Sequence, residues 1–166
     1  MIFHRVIPLF LSALAPLTAA EFPCVPGSDR VLSTTEVKNF WVNHLQNQPL
    51  APKPTRLHPE QEESRQREIS RRRGLIQAIR SGQHDIAARL VCLSHNVEAW
   101  TRQGDEAKAF EAERQLLLVR EHVAKIATLE AQREAAVKLG EAAGRVIEMD
   151  AELQRLKQLE ATLVQG

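Results

Sequence analysis

The chain contains no tyrosine, and aromatic residues fill only 4% of its 166 positions. Leu, Ile, Val and Ala must therefore build the core with little aromatic volume. An excess of one charge is missing as well, since 22 Lys and Arg stand against 21 Asp and Glu. That excludes a nucleic-acid-coating protein, which needs a basic surplus. It also excludes a disordered acidic tail, because 43% of the residues are hydrophobic. No apolar run reaches the roughly 18 to 20 residues of a membrane span, so membrane contact is expected to be peripheral at most.

Catalytic vocabulary is thin. The chain has no G-x-S-x-G elbow, phosphate-binding loop, H-E-x-x-H or dinucleotide fingerprint, and no E-x-x-H pair of the di-iron bundle type. Asp29, Asp85, Asp105 and Asp150 are its only aspartates. Asp85 and Asp105 read as helix caps, which leaves little for acid–base pairing. The expectation is a non-enzymatic protein without metal or cofactor.

Proline is absent from everything after Pro59, while all eight prolines lie at or before it. A proline inside a helix costs about 3 kcal/mol, so this asymmetry divides the chain into an irregular front and a helical back. Residues 1–20 read as a cleavable signal peptide: His4 and Arg5 begin it, Val6 to Leu14 is apolar, and Thr18-Ala19-Ala20 supplies small residues before a cut. A periplasmic location follows as an expectation.

Residues 21–58 form a Pro-rich arm with one short amphipathic helix. Ser33 and Glu36 have capping-box spacing, and Val37, Phe40, Trp41, His44 and Leu45 follow on one face. Residues 48–58 read as an extended connector. The helical core is placed at 59–139. Pro59 suits a first helical position, and Ile69, Leu75, Ile76 and Ile79 face a partner. After a turn at Gly82–Asp85, Ile86, Leu90, Leu93, Val97 and Trp100 form a packing seam, and Gly104-Asp105 ends that helix and caps the next. Short turns predict that these three helices stack as an antiparallel bundle.

From Asp105 onward no strong stop is visible, and Leu116, Val119, Val123 and Ile126 carry one stripe. Residues 140–166 continue with coiled-coil spacing at Val146, Met149, Leu153, Leu156, Leu159 and Leu163. Gly140 and Gly144 are candidate breaks, each costing about 1 kcal/mol inside a helix. One long, bent helix of about 90 Å that projects beyond the bundle is favoured slightly over a break at Gly140–Gly144 into a further hairpin. The fold class expected is therefore all-α: an antiparallel bundle with a long C-terminal helix of coiled-coil character. Its Leu-rich stripe is the expected contact for a protein partner or for a second copy in a homo-oligomer.

Cys24 and Cys92 are the only cysteines, and an even count in an exported chain predicts one disulfide. Closing a loop of about 67 residues would stabilise by roughly 4 kcal/mol at most. Cys92 and His95 share a helix face, but two soft ligands make a weak metal signal. Arg65, Arg71, Arg72 and Arg73 form the densest basic cluster. It reads either as a solvated face with Glu63–Arg67 and Glu68–Arg72 pairs, or as a contact for an acidic partner or anionic headgroups. The nearby glutamates and missing aromatics argue against nucleic acid.

Together these features predict an exported helical interaction protein, an accessory or structural part of a bacterial envelope assembly of the secretion, conjugation or pilus kind. An ATP-independent periplasmic chaperone for unfolded clients is the alternative.

Overall fold

The computed structural model describes residues 22–26, 29–53, 58–140 and 142–165. Residues 1–20, expected to be a signal peptide, lie outside them. The described residues form five α-helices and no strand: α1 (Thr34–Asn47), α2 (Pro59–Arg80), α3 (Asp85–Gln103), α4 (Glu106–Lys138) and α5 (Ala143–Gln165). No helix among them is long and apolar enough to cross a membrane.

Local chemistry sets most of the boundaries. Ser33 and Glu36 close a reciprocal capping box on α1. Pro59 opens α2 at its first position. Gly104 ends α3 at φ 75°, a left-handed conformation that glycine adopts without a Cβ clash. Asp105 then accepts the Lys108 N–H and caps α4. Asp85 departs from its expected cap role. It is the first residue of α3, and its carboxylate pairs with Lys38 Nζ of α1 at 2.5 Å, so it ties two helices together instead.

The core is organised around α3, which buries two faces. One carries Leu93, with Ile86 and Leu90 beside it, and meets Leu116 and Val119 of α4. The opposite face carries Ala88, Cys92, His95, Asn96 and Ala99. It receives α1 and the segment leading into it, with Phe22, Leu32, Val37, Trp41, Val42 and Leu45 in one cluster. Trp41 is fully buried, and its indole Nε1–H donates to Pro23 O at 3.0 Å.

This corrects the expected stack of α2, α3 and α4. The place beside α3 belongs to α1, and α2 packs on α1. The reason is apolar content: α1 buries four side chains, whereas α2 is mainly Arg, Glu, Gln and Ser and buries only Ile79.

The C-terminal half takes the hairpin alternative and not the continuous helix. α4 stops at Lys138, Leu139 forms its C-cap, and Gly140 follows at φ 66°. Gly140 is therefore the left-handed residue just beyond a helix end, where glycine is favoured, and not an interior glycine to be tolerated. α5 folds back along α4. Leu153 and Leu156 meet Ile126, with Leu129 beside them, and Leu163 reaches the α3–α4 cluster. Lys157 Nζ pairs with Glu130 at 3.0 Å, and Arg133 pairs with Asp150. Two ion pairs in the same antiparallel register hold the flanks of the seam.

Candidate interaction surfaces

The expected Cys24–Cys92 disulfide is not formed. Both thiols are free; Cys24 is exposed and Cys92 is buried. The stretch 29–32 is nevertheless pinned to α3 by other means. Cys92 Sγ–H donates to Leu32 O at 3.1 Å, so its sulfur points at the backbone, and burial pushes its thiol pKa up. Asn96 Oδ1 accepts the Leu32 N–H and Asn96 Nδ2 donates to Leu32 O, both at 2.8 Å. His95 Nε2 lies 2.9 Å from Arg30 O, and a carbonyl partner requires the proton on that nitrogen. Arg102 Nε pairs with Asp29 at 3.0 Å, and Gln103 donates to Asp29 O.

These contacts occupy both members of the Cys92–His95 pair. Both side chains are engaged by the backbone of one segment, and no group of three metal-ligating side chains gathers among the described residues. Nothing in the sequence alone marked Asn96, because its partner lies 64 positions away.

The basic cluster on α2 is largely engaged within the chain. Glu68 holds Arg71 at 2.8 Å and Arg72 at 2.6 Å, and these bonds pull its carboxyl pKa down to about 2. Arg72 reaches on to Gln48 O at 2.6 Å and Pro49 O at 3.3 Å, covering carbonyls at the end of α1. Arg65 is half-buried on the side of α2 that carries Arg72. Arg73 is exposed. Arg72 thus fastens α2 to the end of α1, while Arg71 and Arg73 remain exposed.

The Leu-rich stripe of α5 is likewise used at home. Leu153 and Leu156 are buried against α4, while Val146, Met149 and Leu163 are half-buried. Of the six, Leu159 alone is classed as exposed.

Further exposed apolar surface lies on two other parts of the hairpin. At the tip, Leu139 is 77% exposed and Ile147 65%, and Val137, two positions before Leu139, is also exposed. On α4, Phe110 is 68%, Leu117 53% and Leu118 47% exposed. Their spacing of seven and eight puts them on one face, opposite Ala112, Leu116 and Val119, which pack inward. The first half of α4 is thus apolar on two opposite sides, and only one of them is covered.

Between the α2–α3 turn, mid-α4 and the end of α5 runs a groove of about 980 Å³. Ile86, Val123, Ile126 and Val164 contribute apolar lining, and Asp85, Glu130, Glu134 and Glu160 make it mainly acidic. A smaller groove on the other side of the hairpin, about 540 Å³, is lined by Leu129 and Leu156 with Lys125 and Arg155. No family model, no curated protein and no solved structure matches the chain.

Proposed function

We propose that the protein is an exported, non-enzymatic helical interaction protein, an accessory or structural component of a bacterial envelope assembly of the secretion, conjugation or pilus kind. The reading rests chiefly on the apolar tip of the α4–α5 hairpin, where Leu139 and Ile147 stand outward at 77% and 65% exposure. Isolated exposed leucines are ordinary, but large apolar side chains grouped at the end of a projecting hairpin favour contact with another protein. The polar inventory supports the same reading. Cys92, His95 and Asn96 hold a backbone segment, Asp85 ties α3 to α1, and Asp105 caps a helix. Coiled-coil-like spacing on α5 serves, in this reading, to stiffen the hairpin that presents the tip.

Site-specific photo-crosslinking in the producing cell tests it. A photoreactive residue at Leu139 or Ile147 is expected to give one discrete adduct with an envelope protein, and the same residue at exposed Glu98 none. Absence of tip adducts, or recovery of the chain only from the cytoplasm, contradicts the proposal. Adducts with many unrelated polypeptides, together with suppressed aggregation of a denatured substrate, would favour the chaperone alternative.

A further inference from the structure

The outer face of α4 has a charge order that matches itself when reversed. From Phe110 the exposed positions on this face run Phe110, Arg114, Leu117, Leu118, Glu121 and Lys125. In an antiparallel helix pair related by a two-fold axis between Leu117 and Leu118, residues whose numbers share a common sum stand opposite one another. Leu117 then meets the partner's Leu118, and Arg114 meets the partner's Glu121. Phe110 meets the partner's Lys125, a cation over an aromatic ring. Each of these contacts occurs twice by symmetry. A parallel pairing would instead set Glu121 against Glu121 and Arg114 against Arg114.

We infer that this face is a homodimer interface, occupied by α4 of a second copy in antiparallel orientation. The inference does not rest on the proposed function and holds whether or not the chain is exported. Three observations carry it. The three apolar side chains are about half exposed or more, and α3 and α5 pack on the side of α4 that carries Leu116, Val119 and Ile126, with Lys125 at the edge beside the α5 groove. Glu121 and Lys125 have no ion-pair partner among the described residues, so a second copy would supply Glu121 with its first cation. Arg114 is held by its own Glu111, with both bonds at 2.9 Å. An exposed pair three residues apart is worth little, so Arg114 can bridge to the partner's Glu121 at small cost.

One helix face is a small interface, below the roughly 1,200 to 2,000 Å² of stable complexes, so the dimer is expected to dissociate in the range of about 1 to 100 µM. Sedimentation equilibrium across this range, on protein purified as the cell processes it, provides the test. Reductant is included because exposed Cys24 could cross-link copies covalently. Leu117→Glu should abolish association while leaving the circular-dichroism melt unchanged. Arg114→Glu and Glu121→Arg alone should each weaken it by roughly tenfold, because each opposes like charges. The double swap should restore it to near the original value.

A chain that stays monomeric throughout overturns the inference. So does a dimer indifferent to Leu117→Glu. Loss of association in both single swaps without rescue in the double swap rejects the antiparallel register. None of these outcomes bears on tip crosslinking, so the two proposals fail separately.

Discussion

Asn96 on α3 grips Leu32 by both of its main-chain groups, giving an acceptor to its N–H and a donor to its carbonyl, each at 2.8 Å. Such a two-point clasp does for the backbone at Leu32 what strand pairing would do in a sheet. Truncation by Asn96→Ala leaves a buried N–H with no acceptor, a loss of about 1 to 3 kcal/mol. Denaturant unfolding should show that drop in midpoint with an unchanged slope. A change under about 0.5 kcal/mol, the ordinary size of a surface substitution, would mean that the clasp is not made in solution.

The two thiols should behave very differently. Cys24 is exposed and is expected to react promptly with a thiol reagent in native buffer. Cys92 is buried with a raised pKa and should react only on unfolding. Counting under denaturing conditions should find two free thiols, and added reductant should leave the melting temperature unchanged. A fall in melting temperature with reductant would restore the disulfide and remove the explanation given for how the segment is held.

Glu68 supplies a pH signature. Its carboxyl is drawn down to about 2 by the hydrogen bonds from Arg71 and Arg72. A group whose folded pKa lies below its unfolded value contributes stability above the unfolded value. That contribution is lost as pH falls through the window from about 4.5 towards 2. The Glu68 side chain is one-third exposed, so the size is limited to about 0 to 1 kcal/mol by solvent screening. Between pH 6 and pH 3 the wild type should lose more stability than Glu68→Gln. Equal losses would place the Arg72 clamp elsewhere.

The hairpin makes a larger prediction. Leu153→Ala or Leu156→Ala removes a side chain buried against Ile126. Each should cost about 2 to 5 kcal/mol, the range for leucine truncation in a packed core. A helix projecting into solvent would register almost nothing. Gly140→Ala, at a φ of 66°, should cost about 1 to 2 kcal/mol because the left-handed conformation crowds any Cβ.

What the sequence disclosed and what it hid divide along a physical line. The Ser33–Glu36 box, Pro59 and the Gly104-Asp105 pair were legible because each acts within one turn of itself. The apolar seam of α3 was legible for the same reason, as a helical period. Its second face was not, because Ala88, Cys92, His95, Asn96 and Ala99 do not read as an apolar stripe. Three of them become core residues only when Arg30 and Leu32 arrive from 60 or more positions away. Gly140 was misweighed by its cost inside a helix, when its use is outside one. Folding α5 back reversed the identity of the exposed surface. The α5 leucines predicted to meet a partner mostly meet α4, and the side chains left outward are Phe110, Leu117, Leu118, Leu139 and Ile147.

Everything proposed for these surfaces depends on the α4–α5 turn. Spin labels at exposed Arg120 and Thr162, in a cysteine-free background, measure it directly. They stand nearly opposite each other in the register set by Glu130–Lys157 and Arg133–Asp150. Helix axes in contact lie about 8 to 10 Å apart, so with label arms the distance should peak below about 25 Å. A continuous helix would place the two positions about 63 Å apart. A peak at the long distance would contradict the fold-back, and with it the assignment of α4 and the hairpin tip as contact surfaces.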